Sequence, residues 1–360
     1  MSREPSGRPA GGSEVAKLTT SKLTTYFGER SRVRGRLLAD ELLDIHARLG
    51  ISNSILLRGI QGFGAKHQLR SDRLLTLSED LPLISVAVDT HERIEALRTE
   101  MGSIEHPGPV TLERVQLCGE GIEPSGLAPA PTEEVKLTIY TGRHERMSGA
   151  PAFAAVCRVL HDHGLGGATV LLGVDGTRHG ERRRARFFAR NADVPLMVMA
   201  VGDHQRIAAA LTLLQQMLHE PLFTIERVRV CKRDGVLLRL PHDLPLTGQS
   251  QPQPHQKLTI IASEAARHEG RSLYLELVRR LRTAKAAGAT SLRGIWGFHG
   301  DHAPHGDRLL SIRRHVPVVT VVIDTPSRVG TLFEIVDELT REQGLVTSEL
   351  VPSVSGSPHL

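Results

Sequence analysis

The sequence predicts an α+β protein made of three tandem copies of one small βαββαβ unit. Two observations carry this expectation: landmarks recur at constant offsets, and within each copy the hydrophobic period switches between two and three-to-four in the same order. Lys22-Leu23-Thr24, Lys136-Leu137-Thr138 and Lys257-Leu258-Thr259 lie 114 and then 121 residues apart, and Gly59, Gly173 and Gly294 repeat both offsets. Pro82, Pro195 and Pro317 open three further apolar runs at offsets of 113 and 122, so copy 2 is one residue shorter between these landmarks.

The opening segment, KLTIY in copy 2, alternates apolar and polar residues, as a strand with one buried face does. Phe153, Val156, Cys157 and Leu160 then recur at helical spacing, matched by Leu38, Leu42, Ile45 and Leu49 in copy 1 and by Leu273, Leu277 and Leu281 in copy 3. Gly164 is placed to end the copy 2 helix. ATVLLG is a second strand, a long Gly-rich loop follows, and the Pro-led run is a third. Ile207, Leu211, Leu214 and Leu218 mark a second helix, echoed by Val329, Leu332, Val336 and Leu339, and LFTIERVRV closes the copy as a fourth strand. This order is the ferredoxin-like split βαβ arrangement. One sheet with both helices on one face leaves its other face open. The three ferredoxin-like domains are therefore expected to pack their sheets together as a pseudo-threefold unit with clefts between copies.

The expected boundaries are an N-terminal tail over 1–15, copies over 16–117, 135–232 and 256–352, linkers over 118–134 and 233–255, and a C-terminal tail over 353–360. Both linkers are rich in Pro, Gly and polar residues. The composition, 40% hydrophobic and 24% charged, is that of a globular chain, and with 3% aromatics the cores must rest on Leu, Val, Ile and Ala. Apolar stretches such as Val194–Val201 stop far short of the roughly 20 residues a membrane-spanning helix needs. The first residues contain no apolar signal core, so a cytoplasmic protein is expected. Cys118, Cys157 and Cys231 form no CxxC pair and are expected as buried thiols. A net charge of +5 does not by itself imply nucleic-acid binding, and no specific nucleic-acid partner is expected.

A KLTIY strand, a helix, a strand ending in RGIxGF (Arg58–Phe63 and Arg293–Phe298), a long loop containing His and a DLPLxxxxVD strand (Asp80–Asp89) together resemble the domain-of-unknown-function 190 family. Members of that family are similar to the PII signalling proteins and to the CutA proteins. The resemblance spans about 290 of the 360 residues and is better in copies 1 and 3. Copy 2 has Gly173-Val174-Asp175-Gly176-Thr177 in place of the GxxGF signature. The resemblance to PII proteins implies a ligand between copies at the base of the long loop, which raises the nucleotide option.

Copies 1 and 3 share Gly59/Gly294, Gly62/Gly297, Phe63/Phe298 and His67/His302 in that loop. Two readings are open. In one the glycines supply a packed turn anchored by Phe; in the other Gly N–H groups and nearby arginines cradle the phosphate of a small anionic ligand. Arg93, Arg206 and Arg328 recur near the start of the second helix, where they either pair with a carboxylate of a neighbouring copy or bind ligand phosphates. Copy 2 carries six Arg and one Glu between Arg178 and Arg190. Its Arg182, Arg183, Arg184 and Arg186 are either a solvated charge run or a grip for an acidic partner, a polyphosphate or a nucleic-acid backbone, and the partners considered include an acidic protein or a membrane transporter. His299, His302 and His305, spaced by three in a Gly/Pro loop, are a weaker pattern for a CutA-like divalent metal, and no cofactor is firmly implied. No nucleophile with an oriented base stands out. The function expected is a non-enzymatic PII-like signalling or regulatory protein, with a protein-interaction scaffold and a metal binder as alternatives.

Overall fold

Each copy folds around two helices and four principal strands, and the helical spacing of apolar residues accounts for the buried faces. The computed structural model of the protein describes residues 20–72, 80–104, 108–118, 134–147, 149–184, 194–241, 254–299, 303–306 and 316–352. The helices are α1 (Leu38–Arg48), α2 (His91–Met101), α3 (Ala152–Asp162), α4 (His204–Met217), α5 (Leu273–Thr283) and α6 (Pro326–Leu339). α1 buries Leu38, Leu42, Leu43 and Ile45, each such side chain contributing about 1.5–3 kcal/mol. Asp40 and Glu41 in its first turn and Arg48 in its last suit the helix dipole. The chain leaves α1 and α3 through Gly50 (φ +62°) and Gly164 (φ +71°), whereas copy 3 places Lys285 in the same left-handed conformation after α5.

The expectation of three ferredoxin-like βαββαβ domains is corrected by the strand pairing. The four principal strands of copy 1 and the four of copy 2 join in one antiparallel sheet, ordered 195–203, 134–142, 222–227, 110–118, 20–28, 82–90, 53–58 and 167–178. Because 167–178 also pairs with 195–203, these eight strands close into a barrel. A second, eight-stranded sheet holds the four strands of copy 3, flanked by Gln61–Phe63 of copy 1 on one side and by a hairpin from the end of copy 2 on the other. The copies thus share sheets edge to edge through hydrogen-bonded strands; they are not closed units that meet face to face. The period-two pattern identifies a strand but is silent on its partner, and the ends of the Gly-x-x-Gly-Phe segments, Gln61–Phe63 and Trp296–His299, are strands and not loop.

The hairpin runs through part of the segment expected as the second linker. Arg229–Arg233 and Val236–Leu237 pair across Asp234-Gly235, both at positive φ, the conformation that the tight Asp-Gly hairpin turn requires. Residues 119–133 and 242–253 of the linkers and both tails lie outside the described residues. The cores are aliphatic, as the composition requires, and Cys118, Cys157 and Cys231 are buried free thiols. Burial pushes the Cys118 thiol up to about 11. No helix among the described residues is long and apolar enough to cross a membrane.

Candidate functional site

Three crossing strands hold the copies together, one at each junction. Gln61–Phe63 leaves copy 1 and pairs with Ala289–Ser291 of copy 3; Trp296–His299 leaves copy 3 and pairs with Gly167–Val170 of copy 2. The second half of 167–178, after a bulge between Gly173 and Asp175, leaves copy 2 and pairs with Asn53–Leu57 of copy 1. The exchange is therefore cyclic.

The shared loop residues explain why these strands can approach so closely. A Cβ on Gly62, Gly176 or Gly297 would fall on the carbonyl oxygen of Ala289, Ser54 or Ala168 in the neighbouring copy, and each glycine is also backed by Pro82, Pro195 or Pro317 of its own copy. Copy 2 thus keeps the glycine pair of the motif and lacks only its Phe. Phe63 is buried in the core of copy 3 and Phe298 in that of copy 2, where it meets His161 edge to face. Thr177 takes the Phe position in copy 2 and hydrogen-bonds Ser54 Oγ of copy 1 at 2.9 Å. The amides of Gly59 and Gly294 donate to the carbonyls of Pro82 and Pro317, both at 2.8 Å. His67, at φ +51°, lies with its ring centroid 5.9 Å from that of Phe63.

At the centre of the three copies lies a ring of six charges that sequence reasoning missed. Lys22 reaches Glu113 (3.1 Å) and Glu226; Lys136 reaches Glu226 (2.8 Å) and Glu349 (2.5 Å); Lys257 reaches Glu349 (3.2 Å) and Glu113 (2.8 Å). Each ammonium bridges the carboxylate of its own copy and that of another, and all six side chains are buried. Burial alone would raise the Glu113 and Glu226 carboxyls, but the facing lysines overcome it and hold both below the usual carboxylate range. Likewise burial would lower Lys136 and Lys257, and the glutamates raise them instead. Glu113, Glu226 and Glu349 come within 4.8 Å of one another, the spacing of a cation site, yet the three ammonium groups already supply the countercharge. The signal was present as the Lys of each KLT landmark and the Glu of LERVQL, IERVRV and SELVPS.

The recurring arginines of the second helices serve their own copies. Arg93 Nη1 donates to the Gly50 carbonyl at 2.8 Å, Arg206 Nη1 donates to that of Gly164, and Arg328 Nη2 donates to those of Ala284 (2.6 Å) and Lys285 (3.0 Å). Each guanidinium thus satisfies carbonyls at the C-terminal end of the first helix, where a cation is favoured. Arg93 and Arg206 also meet Asp89 and Asp203 beside them, not a carboxylate of another copy.

The arginine run of copy 2 is largely engaged within the chain. Arg182 contacts Asp175 of its own copy (2.6 Å) and Asp40 (3.2 Å) and Asp44 on α1 of copy 1; Arg184 contacts Asp40 (3.0 Å). Arg183 pairs with Glu181 at 2.6 Å, and Arg186 lies outside the described residues. His299 and His305 sit on paired strands, with His305 opposite Gly297, and His302 lies outside the described residues.

Between copies 2 and 3 a small cleft opens beside the crossing strand. Its walls are Gly166 and Gly167 of copy 2, Ile261 of copy 3, the Arg233–Asp234 hairpin, and Phe298 with His299. Arg233 is held there by Glu134 at 2.6 Å.

The comparisons with known proteins agree with the threefold repeat. A UPF0166 protein of Aquifex aeolicus is 26% identical over 95 residues, which is 26% of this chain and 90% of that relative, so the relative has the length of a single copy. The model of the DUF190 family, described as "Uncharacterized ACR", matches residues 20–117, 134–230 and 255–353. With most of its length matched in three consecutive stretches, the chain belongs to the DUF190 family.

Proposed function

We propose that the protein is a non-enzymatic, PII-like regulatory protein that binds a small anionic ligand, such as a nucleotide, in a cleft between copies. The observation that carries this reading is the cleft between copies 2 and 3. Its mainly apolar walls with a few polar groups are of the kind that line small-molecule sites. It lies against Gly297's crossing strand, the root of the long loop of copy 3, which is where the resemblance to PII proteins would put a ligand. A ligand there would touch two copies at once and bias their relative posture, the requirement for a regulatory readout. The recurring glycines contribute by bringing the strands close, and Phe298 forms part of the cleft wall. Arg93, Arg206 and Arg328 stay on the helix ends.

Calorimetry and thermal shift of the full chain against adenosine mono-, di- and triphosphate test the reading. Saturable heat with a rise in melting temperature is expected; neither signal at millimolar ligand would overturn it. The scaffold alternative loses support from the internal ion pairs of Arg182 and Arg184.

A further inference from the structure

We infer that the outer face of α4 in copy 2 is a dimerisation surface, and that its partner is α4 of a second copy of this chain, packed antiparallel about a two-fold axis at Leu213. The inference stands apart from the ligand-binding reading and needs nothing from it.

The second helices of the three copies occupy equivalent places in the repeat but present unlike surfaces. α2 carries Glu92, Arg93, Glu95, Arg98 and Glu100, and α6 carries Arg328, Glu334, Asp337 and Glu338. α4 carries Arg206 in its first turn and no charged residue from Ile207 to its end at Met217. Among the described residues, Leu213 (39% exposed) and Met217 (37%) are the exposed large apolar side chains on helices.

The change can be followed position by position. Where copy 2 has Leu213, copy 1 has Glu100, which accepts from Arg48 of α1 at 2.9 Å and ties the two helices together on the outside. Copy 3 ties its helices through Arg280 and Glu338 at 2.8 Å. The residues of copy 2 at these positions are Asp162 with Leu213 and Val159 with Gln216, so neither tie can form. Likewise Met217 stands where Ile104 and Leu339 are buried in the other copies. A helix face depleted of charge and holding Met and Leu has the composition of an interface centre.

Size and charge along α4 identify the occupant. Ala209, Leu213 and Met217 form one i, i+4 row, a small, a middle-sized and a long side chain about 6 Å apart along the axis. A second α4 turned end for end about Leu213 lays each Met217 over the Ala209 of the other chain, the self-matching that a two-fold contact requires. Arg206 in the first turn and Glu220 just past the helix end lie at equal separations from Leu213, about 10 Å along the axis. Both are exposed, so each guanidinium comes opposite the carboxylate of the other chain. A parallel pairing would instead set Arg206 against Arg206.

Sedimentation equilibrium of the full chain tests this, with a melting temperature for each variant. Wild type is expected to be a dimer at micromolar concentration. Leu213→Glu gives copy 2 the residue that copy 1 bears there, and should weaken the dimer at least tenfold at an unchanged melting temperature. Glu220→Arg sets like charges face to face at both ends of the contact and should weaken it about threefold. Leu238→Glu, in the other exposed apolar stretch at 236–240, should leave the dimer intact. A monomeric wild type overturns the inference, as it would if a segment of the same chain covered α4. A dimer that Leu213→Glu leaves unaltered, or that Leu238→Glu disrupts, overturns it too. Should Leu213→Glu fail to fold, unaltered dimerisation of Glu220→Arg is enough to overturn it.

Discussion

The Nζ of Lys136 in copy 2 lies 2.5 Å from Oε1 of Glu349 in copy 3, and both side chains are almost wholly buried. The pair is one link of an alternating ring of six, so removing one charge strands its partners in a medium that solvates them poorly. Lys136→Met leaves Glu226 and Glu349 short of a cation and should cost about 3–5 kcal/mol in urea unfolding. Lys136→Met with Glu349→Leu leaves two lysines and two glutamates still in contact. The double variant should therefore cost clearly less than the sum of the two single ones. A harmless Lys136→Met would refute the stabilising role of the ring.

The crossing strands make a steric prediction. Gly297→Ala directs a methyl group at the Ala168 carbonyl of the neighbouring copy and should destabilise by about 1–3 kcal/mol, as overpacking does. Gly330 in α6 is the control: open space surrounds its Cβ position, so Gly330→Ala should stabilise by about 0.5–1 kcal/mol through helix propensity alone. Thermal melts of the two variants should move in opposite directions, and a melt of Gly297→Ala no lower than wild type would count against the close approach.

Arg182 tests whether the arginine run of copy 2 is spent inside the chain. It is the main countercharge of Asp175, which is buried, and it ties copy 2 to Asp40 and Asp44 on α1 of copy 1. Arg182→Ser should lower stability by about 2–3 kcal/mol, the range for losing hydrogen bonds to charged groups. Arg183→Ser, whose partner Glu181 is exposed, should change it by less than about 1 kcal/mol. Equal melting temperatures for the two variants would return Arg182 to the category of a solvated surface charge.

These residues also show what was legible in the sequence. The repeat, the helices and the principal strands follow from periodicity and offset, because a strand or helix buries the same face wherever its partner lies. The pairing partners do not follow: Gln61–Phe63 pairs across sequence distance with Ala289–Ser291, and a single copy carries no mark of which copy it will meet. Gly62 and Phe63 recur as Gly297 and Phe298, but the pattern does not separate a tight turn or an anion cradle from a strand whose neighbour's carbonyl excludes a side chain. Lys22 recurs as an alignment landmark, but neither it nor Glu113 shows its role in the sequence, since a charge in an alternating strand is normally on its solvated side. The Asp234-Gly235 turn is a readable hairpin signal, but it stands at the start of a Pro-, Gly- and polar-rich segment whose composition is that of a linker.

His46 gives the chain a pH dependence with a definite sign. It lies on α1 at the position that Leu160 and Leu281 fill in copies 2 and 3, and its Nδ1 is buried without a hydrogen-bond partner among the described residues. Burial, helped by the nearby Arg182 charge, pushes its pKa down from 6.5 to about 3. The folded state therefore binds fewer protons than the unfolded state between these values, and stability must fall as the pH drops through that window. The share carried by His46 approaches about 1.4 kcal/mol per pH unit below about 6.5 and vanishes above it. His46→Leu installs the side chain that the other copies use and removes this share. Urea unfolding at pH 7.5 and pH 5 should show the variant losing about 2 kcal/mol less than wild type on acidification. Parallel losses in the two proteins would mean that His46 either protonates in the folded state or gains a partner there, and the assignment of a buried neutral imidazole would be wrong.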